Sequence, residues 1–540
     1  MSNIDQNPFL TKEGDALVIT QEGHKFLKEI VTDTQGPVYV FKDTAPGVFV
    51  AASMARLSRR GSDLREIYLD EFALAGPEKA EGLLRRVITD YGDDSVQQLL
   101  VLSFVVENAS NILTKMLEWG RLAAYLEQST RYIYYDQPNP QGKFRYFTPW
   151  NFSKGLTVGY ENAMNQIFFL YSETVHGITK YLEHKVPKPE GKQERIAWKN
   201  SIRAQACDAA RPMLPAATTS TVGIVMSAQS VESLILHLQA HPLEECRRSG
   251  LDILREVRKV APVFFERSDM PSRGGSWVVH KMDTQLAVRE MAKRYLPVGQ
   301  GLVSRESVEL LNYWPRNEME LVSDLFFAEA DEIPAHILIK EIERWPDERK
   351  RYAIAKYVGE RLNRRHKPGR AFEEPHYKWQ ITGDYGTFRD LQRHRMADMF
   401  EWQRLTTAYG YDIPEQVKEA GFEKPFHDAF AISERLYHLL SRSGYEEESQ
   451  YATLMGHKMR YRFMLNLRAS FHFHELRTTP HGHPGYRKIV KSMHDKVAEV
   501  HPLLASHIIF VNKDEDPELT RYAAELASQR KLAILESHEK

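Results

Sequence analysis

The segment VLSFVVE, beginning at Val101, packs apolar and β-branched residues into a short run that predicts a strand. Ser110 can then cap a helix whose apolar stripe is Ile112, Leu113, Met116 and Leu117. The same order returns later in the chain. YKWQI from Tyr377 predicts a strand, Asp384 can cap, and Phe388 and Leu391 begin a second helical stripe. Both predicted helices would carry an arginine cluster late, just before an irregular segment. Further on, Phe463, Leu467, Phe471 and His474 recur at helical spacing, so 463–477 predicts a helix with His474 packed inside it. Asn466 and Arg477 lie eleven residues apart, about three turns at ~3.6 residues each, so one face could present both. Between these regions SDMPSRGGSW from Ser268, and Gly299 to Gly301, have loop composition.

The likeness extends to the residues themselves. EWGRLAAYLEQSTRY, from Glu118 to Tyr132, slides over QRHRMADMFEWQRLT, from Gln392 to Thr406, with a shift of 274 residues. Arg121 then falls on Arg395, Glu127 on Glu401, and Ser110 on Asp384. EVRKVAPVFF near Pro262 and DKVAEVHPLLA near Pro502 give both stretches a similar ending. An internal repeat is therefore expected, with copy 1 over 1–267, a connector over 268–317 and copy 2 over 318–540.

Arg-His-Arg, then seven residues, then Ser-x-Arg with a Glu two before the Ser, is the signature of the flavin-dependent thymidylate synthases. The chain resembles two fused copies of that family's subunit, each keeping part of the pattern. Copy 1 keeps Glu127, Ser129 and Arg131 but has Trp119-Gly120-Arg121 in place of Arg-His-Arg. Copy 2 keeps Arg393-His394-Arg395 and Glu401 but has Gln403 and Leu405 in place of Ser and Arg. Upstream of copy 1, YGDDSVQQ retains Ser95 of the family's His-x-Ser flavin contact and replaces the His by Asp93, while HKPGRAFEE in copy 2 keeps Phe372-Glu373 without a clear Ser. Downstream, copy 1 has Arg211 in the family's Ala-Arg-x-x-Leu-Pro run, with Ser227 and Leu238 at the later points. Copy 2 has Gln450, Asn466 and Arg477 at those three places, and His472 where a flavin contact is expected.

The resemblance implies an α+β fold, helices packed with antiparallel sheet, present twice. It implies a composite site in which Glu127, Ser129, Arg131 and Arg211 bind a pyrimidine nucleoside monophosphate. Ser95, Arg393, His394, Arg395, Asn466 and His472 would contact FAD, and Arg477 would polarise the base. The implied reaction is reductive methylation of dUMP, or a close relative, to dTMP, with NADPH and methylenetetrahydrofolate as co-substrates. A homodimer of this chain would imitate the family's homotetramer. The alternative is an inactive paralogue that binds flavin or nucleotide in a regulatory or scaffold role.

The residue types suit the chemistry. An arginine fork beside a hydroxyl meets phosphate oxygens with charge-assisted hydrogen bonds. Each residue also has an ordinary reading: Ser129 and Arg131 as a turn, Arg211 as a salt-bridge partner, Arg393 to Arg395 as a solvated face, Asn466 and Ser95 as caps.

Composition adds limits. Seventy-two basic against seventy-three acidic residues give a net charge of -1, so no nucleic-acid partner is implied. Two cysteines, Cys207 and Cys246, offer no disulfide framework and suit a reducing cytoplasm. The start MSNIDQNPFLTKEG has no signal-peptide pattern, and no apolar run approaches the ~20 residues of a membrane span. A soluble, cytoplasmic protein is expected. His472, His474, His481 and His483 form no recognised ligand spacing, so no metal is expected.

Overall fold

In the computed structural model the described residues run from 7 to 538, apart from 14–15, 37–38, 58–59, 75–76, 91–93, 298–306, 516–517 and 520. Asp93, residues 1–6 of the chain's start and Gly299 to Gly301 thus lie outside the described residues.

The predicted strand and cap of copy 1 form as β1 (Val101–Ser110) and α1 (Asn111–Leu117), with Ser110 Oγ accepting from Leu113 N at 3.1 Å. The chain then turns into β2 (Ala123–Glu127). Two long helices follow, α2 (Lys154–Lys185) and α3 (Lys192–Ala210), and then β3 (Thr219–Ser227), α4 (Ala228–Gln239) and α5 (Glu244–Val260). The three strands make one sheet in the order β1-β3-β2, with β2 and β3 antiparallel.

Much of the expected connector is helical. Its loop is short, and α6 (Gly274–Tyr295) occupies 22 residues of it.

The second region repeats the order of elements. After β4 (Val308–Trp314) come β5 (His376–Asp384), α7 (Tyr385–Leu391) and β6 (Met399–Trp402). Then come α8 (Glu423–Arg442), β7 (Lys458–Asn466), α9 (Leu467–Arg477), α10 (Pro484–Val500) and α11 (Tyr522–His538). The four strands form an antiparallel sheet in the order β4-β5-β7-β6. Period-two burial places Tyr377, Trp379 and Ile381 of β5 and Tyr461, Phe463 and Leu465 of β7 on the inner face. There Phe388 of α7 meets Tyr461 edge-on at 5.1 Å.

Equivalent helices match in length. Both α1 and α7 have seven residues, and both α5 and α10 have seventeen. The similar endings become a shared geometry: Ala261 (φ −142°, ψ 65°) and His501 (φ −134°, ψ 68°) each stop a helix just before a proline-led turn. Two expectations are corrected. The helix expected over 463–477 begins only at Leu467, because Phe463 to Asn466 pair in the sheet as the end of β7. The arginine clusters do not ride late on their helices; α1 ends at Leu117 and α7 at Leu391, and the clusters occupy the turns beyond. The next strand must pair in the sheet, so the chain reverses before Arg121 and Arg393 can be helical.

The chain forms two compact units that do not follow sequence order. One holds the described residues of Met1–Glu107, Met116–Glu127 and Thr221–Val298; the other holds those of Asn108–Lys115, Gln128–Ser220 and Gly299–Lys540. The second unit therefore draws on both expected copies. Inside it, like positions meet. Pro215 bridges Leu454, 239 residues on, flanked by Ala216 N to Thr453 O at 2.7 Å and Met455 N to Leu214 O at 2.8 Å. Tyr385 Oη donates to Asn111 O, its counterpart 274 residues away, at 2.7 Å. Reciprocal contact between equivalent positions is what a two-fold pairing of like copies produces.

Among the described residues no helix is long and apolar enough to cross a membrane.

Candidate functional site

The second unit contains a cavity of about 340 Å³ lined by Ser129, Arg131 and Arg211 of copy 1 and by Arg393 and Arg477 of copy 2. Arg389 and Arg521 also line it, against the carboxylates of Asp390 and Glu525. Its size lies in the range of small-ligand pockets. Its dominant character is guanidinium.

The copy 1 residues are set by a turn after β2 and by the end of α3. Ser129 Oγ accepts from Arg131 N at 3.2 Å, which ties the hydroxyl to the same turn as the guanidinium. Arg131 donates from Nε and Nη2 to the two oxygens of Asp208, each at 2.6 Å. Burial opposes the charge on Asp208, yet Arg131 outweighs it and holds the carboxyl below its ordinary range. Arg211, at the C-terminus of α3, is buried and donates Nη1 to Asp390 at 3.1 Å. Its Nη2 is buried without a hydrogen-bond partner. Burial likewise works against Asp390, but Arg211 and Arg131 keep it ionised well below the usual carboxylate range.

The copy 2 residues come from the turn after α7 and from the last residue of α9. Arg477 Nε donates to His394 Nε2 at 2.7 Å, so the His394 ring is neutral with its proton on Nδ1. Burial, and then the charge of Arg477, push the His394 pKa well down and agree with that neutral form. His394 packs edge-on against Phe473 at 4.4 Å and lies 5.7 Å from the His472 ring. Arg477 also lies over the Tyr486 ring at 5.3 Å.

Other expected residues fall elsewhere. Asn466 caps α9, accepting from Ala469 N at 2.8 Å, and does not line the cavity. His472 is half-buried, and Arg395 is exposed on the turn beyond His394. Ser95 and Glu127 belong to the first unit, Ser95 exposed on a short 3-10 turn and Glu127 buried at the end of β2 opposite Val222. His474 is fully buried between Phe473 and His494, and His483 caps α10. Cys207 is buried and its thiol is pushed up to about 12, first by burial and then by Asp208.

At the places where copy 1 has Arg131 and Arg211, copy 2 has neutral groups joined to each other: Leu405 N donates to Gln450 Oε1 at 3.1 Å. Sequence reading missed Asp208, Asp390, Arg389 and Arg521. Asp208 alone carried a signal, as an acid among the small residues of Ala206-Cys207-Asp208-Ala209-Ala210.

Comparison with known proteins adds the family. The family described as "Thymidylate synthase complementing protein" matches residues 42–263 and 309–503. A UPF0159 protein of Chlamydia muridarum is 31% identical over 94% of this chain and 97% of its own length. One from Thermoplasma acidophilum is 29% identical over 88% and 97%. A flavin-dependent thymidylate synthase of Clostridium tetani is 28% identical over 46% of this chain and 92% of itself. The crystal structure of a UMP/dUMP methylase, PolB, from Streptomyces cacaoi with 5-Br dUMP is 17% identical over 37% of this chain and 93% of its own, at a TM-score of 0.31, too slight a likeness to argue from. The full-length relatives share the doubled length, and the bacterial synthase covers about half of it. On the extent of the match, the chain belongs to the thymidylate synthase complementing protein family.

Proposed function

We propose that the chain methylates dUMP, or a closely related pyrimidine nucleoside monophosphate, in a flavin-dependent reaction at the cavity shared by its two copies. The observation that carries this reading is the lining itself: Ser129, Arg131 and Arg211 beside Arg393 and Arg477 in one cavity of one chain.

Each residue has a task in this reading. Ser129, Arg131 and the unpartnered Nη2 of Arg211 meet the phosphate dianion, for which fixed guanidinium forks are suited. Asp208 and Asp390 orient the two forks before the nucleotide arrives. His394 holds Arg477 by its Nε and so orients the guanidinium, whose charge can polarise a carbonyl of the pyrimidine and stabilise charge on the ring. No enzyme thiolate is required, and Cys207 stays a thiol.

The residues fit a flavin dinucleotide by their chemistry. Arg393 and Arg395 are exposed guanidiniums suited to a pyrophosphate, and they flank His394 in the chain; His394 and His472 are half-buried neutral rings, 5.7 Å apart, able to lie against a planar one. When bound, the flavin supplies the redox exchange that converts a one-carbon unit from a methylene to a methyl level. Methylenetetrahydrofolate as carbon donor and NADPH as reductant complete the proposal.

The test is turnover. With FAD and NADPH the protein is expected to release tritium from dUMP labelled at C5, and with methylenetetrahydrofolate to form dTMP. A second reading, an inactive nucleotide-binding paralogue, is favoured by one observation: Arg131 and Arg211 already have carboxylate partners. Flavin and dUMP binding without either product would decide for it.

A further inference from the structure

The cavity has three lining residues outside the family match, which ends at residue 503: Arg521, Ala524 and Glu525, of which Arg521 alone is a cation. Arg521 stands at the foot of α11, with Glu525 N donating to its carbonyl at 2.9 Å. The helix packs along α3, where Asn200 Nδ2 donates to Glu525 Oε2 at 3.3 Å, and Gln205 Nε2 of α3 holds Glu518 O, ahead of the helix, at 2.8 Å.

Arg521 is only 6% exposed, and its Nε and Nη1 are buried with no hydrogen-bond partner. Its guanidinium lies over the Tyr132 ring at 4.6 Å, one residue from Arg131. A buried guanidinium that leaves two donors unmade is costly unless a ligand completes it. The aromatic ring covers the flat face of the guanidinium, so its hydrogen-bonding edge remains for a partner within the cavity. Six arginines line that cavity against the carboxylates of Asp390 and Glu525, so the missing partner is an anion.

We propose that Arg521, supplied by the C-terminal helix α11 beyond the family domain, is a phosphate-binding residue of the nucleotide site. The inference rests on the reading of this cavity as a nucleoside monophosphate site and adds a residue to it. It assigns α11 a part in substrate selection: the helix supplies a contact that a nucleotide can use and an unphosphorylated nucleoside cannot.

The test titrates dUMP, deoxyuridine and inorganic phosphate calorimetrically into the full-length protein and into Arg521→Gln. The variant is expected to bind dUMP about 10- to 100-fold more weakly, the worth of one charge-assisted contact, and inorganic phosphate more weakly too. Deoxyuridine affinity should stay the same. Unchanged affinity for both phosphate ligands, or an equal loss for dUMP and deoxyuridine, overturns the proposal. If the unaltered protein binds dUMP no better than inorganic phosphate, the pyrimidine nucleotide reading fails, and loss of phosphate binding in Arg521→Gln still supports Arg521. Binding of neither ligand by the unaltered protein sinks both. Should Arg521→Gln not fold, Arg521→Lys keeps the charge and loses the fork; a several-fold loss for dUMP supports the proposal and none overturns it.

Discussion

Arg211 and Asp390 are held at 3.1 Å with side-chain exposures of 2% and 12%, so each is the other's main compensation for lost water. Asp390→Asn leaves a buried guanidinium without its counter-charge and is expected to cost about 3–5 kcal/mol, read from the urea midpoint. Added dUMP should restore part of that loss if phosphate meets Arg211. His474 makes a different prediction. Burial, and then His494, push its pKa down to about 3, and both ring nitrogens lack hydrogen-bond partners. An unfolded histidine titrates near ~6.5. Between that pH and the folded value the unfolded chain binds the extra proton, so stability falls as pH falls through the window. His474→Phe is expected to flatten the slope by at most about 1.4 kcal/mol per pH unit, seen by comparing unfolding at pH 5 and 7.5. At this scale the sequence was only partly legible. Arg131, Arg211, Arg393 and Arg477 stood out by motif spacing, whereas Arg389 and Arg521 of the same cavity belong to no motif. Asp390 looked like any acid on a polar helix, since its meaning depends on an arginine 179 residues away.

The strands, the seven-residue helices and their caps were legible because each is a local matter of periodicity and one capping side chain. Ser110→Ala is expected to cost about 1 kcal/mol by loss of the Leu113 N bond, measured by thermal unfolding. The arginine turns were misjudged because the stop of α7 is dictated by sheet pairing of β6, which sequence windows do not contain. Also invisible was what fixes α9. Arg361 forks onto Glu475 at 2.6 and 2.7 Å, with side-chain exposures of 2% and 0%, and donates to the carbonyls of His366 and His507. Glu475 stands two residues before Arg477. Arg361→Met strands a buried carboxylate and is expected to lower stability by about 3–5 kcal/mol. Flavin affinity should fall with it if α9 positions His472.

At the scale of the molecule, the cavity is lined from both family-matched regions of one chain. Arg131→Ala and Arg477→Ala proteins are each expected to be inactive, and mixing them under subunit exchange should restore nothing, because every chain carries a broken cavity. Recovered tritium release would mean that sites are shared between chains. The likeness of the two motif windows was legible, since they differ by a fixed shift; the way the two stretches interleave was not, because contact between Pro215 and Leu454 leaves no local trace. That interleaving bears on how such a gene can evolve. Two tandem copies ordinarily stay separable, and a new stop and start codon between them would return two working genes. Here a break between residues 267 and 318 would divide the second unit between two polypeptides, with Arg131 and Arg211 on one product and Arg393 and Arg477 on the other. Fission would thus give two products that must find each other again to rebuild the cavity, and drift on either side of the break is answerable to the other: a tether that keeps both halves in one hereditary unit.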